Sequence, residues 1–176
     1  MVAIRYYSTR IETERLVLRM FTEDDFEQYA KICANPDVMR FLGGKTFDTT
    51  EAWRHMAYMV GHWQLRGYGY YAAEDKQSGK LAGRIGFTNS TGWPGFEIGW
   101  TLAPDFQGKG LATEGARRLL QYAFEEGDRT HVISLIHPDN TPSIRVAERL
   151  GEKLEGKAEI FGMTVHIYGI DRENFK

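Results

Sequence analysis

Apolar and polar residues alternate with a period of two near the start of the chain, which predicts a strand with one buried face over residues 14–20. Thr22 and Asp25 then stand at the spacing of a capping box, with Asp in the place of the usual Glu. An apolar stripe at helical spacing follows and includes Cys33. We therefore predict a helix that buries this thiol and ends at Asn35-Pro36.

A second helix is predicted to begin at Thr49 or Thr50 and to end at Gly67. Helical spacing predicts that its inner face contains Trp53, Met56, Val60 and Trp63. Three alternating strands follow at residues 70–74, 80–88 and 96–103. The segments between these strands are rich in turn formers, so we expect antiparallel hairpins.

The pattern changes after the third of these strands. A glycine-rich turn at Gln107–Gly110 precedes a helix that ends near Gly127, and residues 132–136 form the unbroken apolar run of a central strand. Asn140 begins a further helix, which Gly151 ends.

Two strands near residues 153–160 and 163–170 complete the chain. The predicted order is β-α-α-β-β-β-α-β-α-β-β. Hairpins followed by a βαβ unit indicate an α/β fold with a mixed, largely antiparallel sheet and helices on both faces. No repeat or flexible linker divides the chain, so we expect a single domain over residues 1–176.

The composition excludes several classes of protein. The chain has 176 residues, 42% of them hydrophobic, and a formal net charge of −2, which is typical of a globular domain. Because the basic residues are scattered, no nucleic-acid partner is expected. No apolar stretch is long enough to span a membrane, and Met1–Arg10 lacks the apolar core of a signal peptide. A single cysteine fits a reducing compartment, so we predict a cytoplasmic protein.

The segment Gln107–Ala112 is the strongest candidate for chemistry. Its glycines let backbone N–H groups approach an anion closely, and the N-terminus of the following helix favours negative charge. The segment predicts a phosphate site, with a glycine-rich turn without ligand as the alternative. It lacks the Walker pattern of ATP- and GTP-binding loops, and Thr113 stands where a dinucleotide fingerprint needs a third glycine.

This segment resembles the Gln/Arg-x-x-Gly-x-Gly/Ala signature of the GNAT family of acetyl-CoA-dependent N-acetyltransferases, and the element order is similar to that fold along the whole chain. Flanking segments resemble the RimJ/RimL-like branch, whose best-known members acetylate ribosomal proteins. They are Thr13–Arg19, Glu97–Pro104, Asn140–Ser143 and Ala147–Gly151.

The resemblance implies an acetyltransferase with acetyl-CoA as co-substrate. It implies that backbone amides of the glycine-rich turn hold the CoA pyrophosphate and that Gln107 shapes this turn. The pantetheine arm is expected along main-chain groups of Trp100 and Leu102, with further CoA contacts from Asn140 and Ser143. The implied cofactor-binding residues are Trp100, Leu102, Gln107, Gly108, Lys109, Gly110, Leu111, Ala112, Asn140 and Ser143.

The resemblance also implies direct attack of an amine on the thioester. Glu97 is the candidate base, since an amine must lose a proton before it attacks; the alternative is that strand register turns Glu97 away from the site. Ala147 stands where many family members carry the tyrosine that protonates the leaving thiolate. Ser143 is the remaining candidate for that role, and helix capping is the alternative for both Ser143 and Asn140.

The acceptor is expected to be a primary amine, with a protein N-terminus as the first choice. The alternatives are a small amine (polyamine, amino acid or aminoglycoside) and a catalytically silent acyl-CoA sensor. A carboxylate-rich cleft would favour a cationic small molecule, and a Glu97 remote from the acyl site would favour the sensor. The sequence leaves the oligomeric state open, with a homodimer as one option.

Two sets of side chains have less defined roles. His55 and His62 are seven residues apart on one predicted helix face, so we expect partly exposed histidines and no metal site. Aromatic residues near the acceptor side either line a pocket or pack in the core, namely Tyr68, Tyr70, Tyr71 and Trp93.

Overall fold

Residues 6–176, described by a computed structural model, form one eight-stranded sheet and five α-helices. The strands are β1 (Arg10–Glu12), β2 (Leu16–Arg19), β3 (Tyr70–Asp75), β4 (Leu81–Thr88), β5 (Glu97–Leu102), β6 (His131–Ile136), β7 (Lys153–Ile160) and β8 (Met163–Asp171). The helices are α1 (Phe26–Cys33), α2 (Pro36–Met39), α3 (Thr49–Arg66), α4 (Leu111–Glu125) and α5 (Thr141–Leu150). The segment Met1–Arg10, where no signal peptide is predicted, lies half outside the described residues.

The sheet has the order β1-β2-β3-β4-β5-β6-β8-β7, and its neighbours are antiparallel except for β5 and β6. Helices α1 and α3 pack on one face, and α4 and α5 on the other. The predicted mixed sheet with helices on both faces is confirmed. No helix in residues 6–176 combines the length and apolar character that a membrane crossing needs.

Local capping signals explain how the first helices begin. The predicted capping box of Thr22 and Asp25 is present, but it opens a short 3₁₀ turn (Glu23–Asp25) that precedes α1. Asn35 does more than end α1, since its side-chain oxygen accepts hydrogen bonds from two backbone N–H groups of α2. The predicted cap of α3, Thr49 or Thr50, was one or two residues late, because Asp48 accepts the N–H of Glu51.

The inner face of α3 differs from the prediction. Trp53 is 54% exposed and Val60 is 40% exposed, whereas Met56 and Trp63 are buried as expected. The stripe that faces the sheet consists of Ala52, Met56, Met59 and Trp63. At about 100° per residue, Trp53 and Val60 lie about 80–100° around the helix from Ala52, so the predicted stripe was rotated toward solvent.

The cap of α3 should contribute measurably to stability. We expect Asp48→Ala to lower the free energy of unfolding by about 1 kcal/mol, because the first-turn N–H groups lose their acceptor. Urea unfolding measures this difference. Thr50→Ala is the control, because it changes an exposed residue in the same turn and leaves the cap in place. Equal stability of the two variants would contradict the role of Asp48.

Candidate active site

The glycine-rich turn leaves the N-terminus of α4 open. Gly108 and Gly110 have φ angles of +72° and +80°, in the left-handed region that side chains disfavour. Gly110 occupies the N-cap position and offers no side chain to the first turn of α4. The N–H groups of that turn are therefore available to an anion, and the helix dipole favours one there.

An ion pair ties this turn to the first strands of the sheet. Arg15 Nη1 donates to the carbonyl oxygen of Lys109 at 2.8 Å, and Arg15 Nε lies 2.6 Å from Glu114 Oε2. The second carboxylate oxygen of Glu114 accepts from the Thr13 hydroxyl at 2.6 Å. Sequence reasoning used Thr13 and Arg15 only as part of a motif and missed that Arg15 fixes the turn.

Strands β5 and β6 separate next to this turn. They share the single parallel pair Glu97–Ile133. Beyond it, Ser134 Oγ lies 3.0 Å from the carbonyl oxygen of Ile98, in place of a ladder hydrogen bond. Because peptide groups of alternate residues point the same way along a strand, those of Trp100 and Leu102 are directed into the same gap. Gln107 Nε2 donates to the Leu102 carbonyl at 2.9 Å, as its predicted role in shaping the turn requires.

A cavity of about 390 Å³ joins this gap to the ends of α4 and α5. Its walls include most of the predicted CoA residues, namely Trp100, Leu102, Gln107, Gly108, Gly110, Leu111, Ala112, Asn140 and Ser143. Lys109 does not line the cavity. Sequence reasoning missed Arg145 and Arg149, whose positive charges on α5 face the same space and suit a pyrophosphate.

Asn140 and Ser143 meet at the start of α5. Asn140 Oδ1 accepts the backbone N–H of Ser143 at 3.3 Å, so Asn140 is the helix cap. The capping alternative therefore holds for Asn140. It does not account for the Ser143 side chain, which lines the cavity.

A second cavity, of about 610 Å³, lies on the α1–α3 face of the sheet. Tyr70 and Trp93 line it, whereas Tyr68 and Tyr71 are buried in the core. Apolar and aromatic side chains form most of its wall, and Glu97 is its only carboxylate within residues 6–176.

The two cavities meet at three residues that line both, Phe41, Leu42 and Thr101. The Thr101 hydroxyl is buried at this junction and has no partner among the described residues.

Glu97 faces the second cavity rather than the core, because β5 directs Glu97 and Thr101 to one face and Ile98 to the other. Its side chain accepts a hydrogen bond from Trp93 Nε1 at 2.6 Å. Burial raises the pKa of the carboxyl to about 7, against the opposing effects of the Trp93 indole and the Leu135 amide. A carboxyl with such a pKa can accept and release protons near neutral pH.

Comparison with known proteins decides the family. The model of the acetyltransferase (GNAT) domain matches residues 15–153. The chain belongs to the GNAT acetyltransferase family. This GNAT protein is 30% identical over 146 residues to the uncharacterised N-acetyltransferase YnaD of Bacillus subtilis (strain 168), with 83% of this chain and 84% of YnaD covered.

Solved structures share the fold. An acetyltransferase from Agrobacterium tumefaciens str. C58 superposes with a TM-score of 0.83 at 27% identity, covering 97% of this chain and 98% of that one. RimL, a ribosomal L7/L12 alpha-N-protein acetyltransferase in complex with coenzyme A, superposes with a TM-score of 0.77 at 22% identity, covering 92% and 97%. The resemblance to RimJ/RimL-like enzymes is confirmed, and the chain is an acetyl-CoA-dependent N-acetyltransferase.

The GNAT sheet carries a second buried carboxyl behind the gap. Burial raises the pKa of Glu152 to about 8, with repulsion from Glu97 acting in the same direction and Ser134 opposing it. Glu152 Oε1 lies 3.1 Å from Ser134 Oγ, and its Oε2 has no partner among the described residues. A protonated Glu152 can donate to Ser134 and leave the serine hydroxyl free to donate to Ile98. Protonation therefore explains how a carboxyl is accommodated at this buried position.

One of the two histidines of α3 in this GNAT protein is less exposed than expected, whereas His55 is partly exposed as predicted. His62 is 7% exposed; Asn89 N–H donates to its Nε2, so its Nδ1–H donates to the Tyr68 carbonyl. His55 accepts the Tyr29 hydroxyl at 2.7 Å, and burial lowers its pKa to about 3. Both serve as neutral hydrogen-bonding groups. No set of three potential metal ligands clusters within residues 6–176, and Cys33 is buried as predicted.

The open helix N-terminus makes Gly110 the sharpest test of the CoA site. We expect Gly110→Val to abolish the rise in melting temperature that acetyl-CoA gives the parent protein, because a β-branched side chain would strain the turn and cover its N–H groups. Gly79→Val is the matched control, since Gly79 has a φ of +67° in the β3–β4 hairpin and nothing near its Cβ position. Full acetyl-CoA affinity in a folded Gly110→Val variant would overturn the assignment.

The raised pKa of Glu152 predicts an unusual dependence of stability on pH. Folding holds a proton on this carboxyl that the unfolded chain releases above its ordinary pKa, so stability falls as pH rises from about 5 to about 8. Glu152→Gln removes this titration. We expect it to be more stable relative to the parent at pH 8 than at pH 5, by at least ~1 kcal/mol.

Urea unfolding at both pH values measures this difference. Glu148→Gln, which removes an exposed carboxylate from the neighbouring helix, should leave the parent's pH dependence intact. A Glu152→Gln variant with the parent's slope would show that Glu152 is ionised in the folded protein.

Proposed function

We propose that this enzyme transfers the acetyl group of acetyl-CoA directly to a primary amine, without a covalent enzyme intermediate. The meeting of the two cavities at Thr101 carries the proposal. One cavity has the open helix N-terminus and the cations that suit a pyrophosphate, and the other has a carboxyl whose pKa of about 7 suits a base. An acyl group held in the first cavity and an amine held in the second react at the junction.

Glu97 acts as the base in this reaction. It takes a proton from the acceptor ammonium through water in the cavity, and the neutral amine attacks the thioester carbonyl. A carbon–nitrogen bond forms, and the carbon–sulfur bond breaks as the tetrahedral intermediate collapses. The attacking nitrogen loses its second proton, which reaches the leaving thiolate through solvent and gives free CoA. The first proton returns from Glu97 to solvent, and the enzyme is restored.

Main-chain and hydroxyl groups of the gap stabilise the charges that develop. The backbone N–H of Trp100 or Leu102 donates to the oxyanion, and such aligned donors lower a barrier by a few kcal/mol. Ser143, on the cavity wall at the start of α5, donates a hydrogen bond to the leaving thiolate. A thiol has an ordinary pKa of about 8.5, so this modest assistance is sufficient.

Two acceptor classes fit a primary amine. The name of RimL favours a protein N-terminus, since that protein is an alpha-N-protein acetyltransferase. The mostly apolar second cavity favours a small amine, because its volume is that of a small-molecule site. Its single carboxylate does not favour a polyamine or an aminoglycoside, and the presence of Glu97 in it does not favour a silent sensor.

Glu97→Gln tests the base. We expect turnover at pH 7 to fall on the order of 10²-fold while acetyl-CoA affinity stays nearly unchanged, because the CoA contacts are mainly main-chain. In the parent, turnover should rise through about pH 7 as Glu97 loses its proton. The defect of the variant should shrink at pH 9 to 10, where more of the acceptor is already neutral.

Release of free CoA, measured over pH 5 to 10, checks these expectations. Glu159→Gln changes an exposed strand carboxylate and should behave as the parent. A defect that remains undiminished at high pH would assign Glu97 a role in positioning the amine instead of deprotonating it.

A further inference from the structure

The second cavity contains a buried cation that the reaction does not require. Arg84 lies in the middle of β4, directly opposite Thr101 on β5, and its side chain lines this cavity although the residue is only 9% exposed. An arginine keeps its charge at all ordinary pH values. The cavity wall therefore presents a permanent positive charge close to the junction with the CoA site.

No side chain of the described part of the protein neutralises this charge. The Arg84 guanidinium carbon lies 4.1 Å from the centre of the Tyr70 ring, which covers one face of the group. No carboxylate of residues 6–176 forms an ion pair with Arg84. Apart from its contact with Tyr70, the guanidinium has no side-chain partner within residues 6–176, although it carries five N–H donors.

Glu97 does not serve as the missing partner. It lies on the same face of β5 as Thr101 but four residues away, about 13 Å along the strand. The Tyr70 ring lies between the two ends, since its hydroxyl is against Gly99. Attraction by Arg84 is the weakest of the effects on the Glu97 carboxyl, whose pKa stays raised.

A buried charge without a partner is costly, whereas a charge-assisted bidentate contact with a carboxylate is among the strongest polar contacts that proteins make. We propose that Arg84 binds a carboxylate of the acceptor, so that the acceptor is a small amine that also carries a carboxylate, as an amino acid does. This inference rests on the proposed function, because it names the substrate class of the same site.

The other charges of the cavity agree with such an acceptor. Its carboxylate is directed to Arg84 and its amine, a short distance along the molecule, to the acyl group at the junction beside Thr101, and water carries the proton of the amine to Glu97. Lys45, the second permanent cation on the wall, already pairs with Glu51 at 2.7 Å. A polyamine or aminoglycoside would place further positive charge beside Arg84. A protein N-terminus has no carboxylate at this distance unless an acidic side chain supplies one.

Binding of reaction products tests the inference without relying on turnover. N-acetylphenylalanine and N-acetylphenylalaninamide differ only in that a neutral amide replaces the carboxylate. The same is true of 6-acetamidohexanoate and its amide, in which the carboxyl group lies further from the acetylated nitrogen. We expect the carboxylate of at least one pair to bind the CoA-loaded protein at least tenfold more tightly than its amide, by calorimetry. Equal binding within both pairs would overturn the inference. This test uses the parent protein, so its outcome does not depend on the folding of a variant.

Two variants locate the effect. Arg84→Gln should reduce the preference for carboxylate to less than twofold, while the rise in melting temperature with acetyl-CoA shows that the fold and the CoA site remain. Lys45→Gln removes the other cation of the wall and should keep the preference. If the preference persists in Arg84→Gln and disappears in Lys45→Gln, Lys45 rather than Arg84 binds the carboxylate, and the proposal is wrong.

Release of CoA separates this inference from the proposed function. The panel contains phenylalanine, phenylalaninamide, 6-aminohexanoate, 6-aminohexanamide and hexapeptides with free N-termini and either neutral or acidic second residues. If no amine releases CoA, the proposed function fails, and the binding pairs still decide the role of Arg84. If the peptides react at least tenfold faster than both phenylalanine and 6-aminohexanoate, the acceptor is a protein N-terminus and the inference is wrong.

Discussion

Both cavities depend on the separation of β5 from β6 after their single shared pair, Glu97 and Ile133. Separation leaves peptide groups inside the sheet without a neighbouring strand, and buried peptide groups without partners are costly. Side chains satisfy the carbonyls at both ends of the gap, with Ser134 at Ile98 and Gln107 at Leu102. Between these ends the edge of β5 stays open, which is the arrangement that an extended ligand completes by pairing as a further strand.

The same region concentrates ionisable groups that a purely structural core would not contain. Arg84, Glu97 and Glu152 are each less than a tenth exposed. Glu152 avoids the cost of an ionised buried carboxyl by keeping its proton, and Ser134 then links it to the gap. The pKa of Glu97 is about 7, so this carboxyl is half ionised near neutral pH, and Arg84 keeps its charge at all ordinary pH values. Carboxyls whose pKa is raised by burial reduce the stability of the fold as pH rises, and they lie in the region that contains the proposed base and Arg84.

The half of the site that we assign to acetyl-CoA could be located from sequence because its signals are local. A strand, a glycine-rich turn and a helix follow one another within a few residues, and Asn140 and Gly151 mark both ends of α5. The errors arose where tertiary contacts override local pattern. Strand β1 has only three residues and exists through its pairing with β2. The buried His62 of α3 accepts the backbone N–H of Asn89, which lies 27 residues further along the chain.

The acceptor half could not be predicted, because its chemistry depends on strand register. All eight residues of β4 are buried, so alternation within this strand does not show which face Arg84 occupies. Only its pairing with Thr101, and the pairing of Thr88 with Glu97, puts the cation and the base on one face. One signal was nevertheless present in the sequence. Gly86 and Gly99 are cross-strand partners, and a side chain at Gly99 would collide with the Tyr70 hydroxyl. Gly86 leaves room for the backbone of residues 69–70, and Gly99 leaves room for the Tyr70 ring that supports Arg84. Two glycines at adjacent strand centres therefore indicate a close approach of other groups to the sheet at this point.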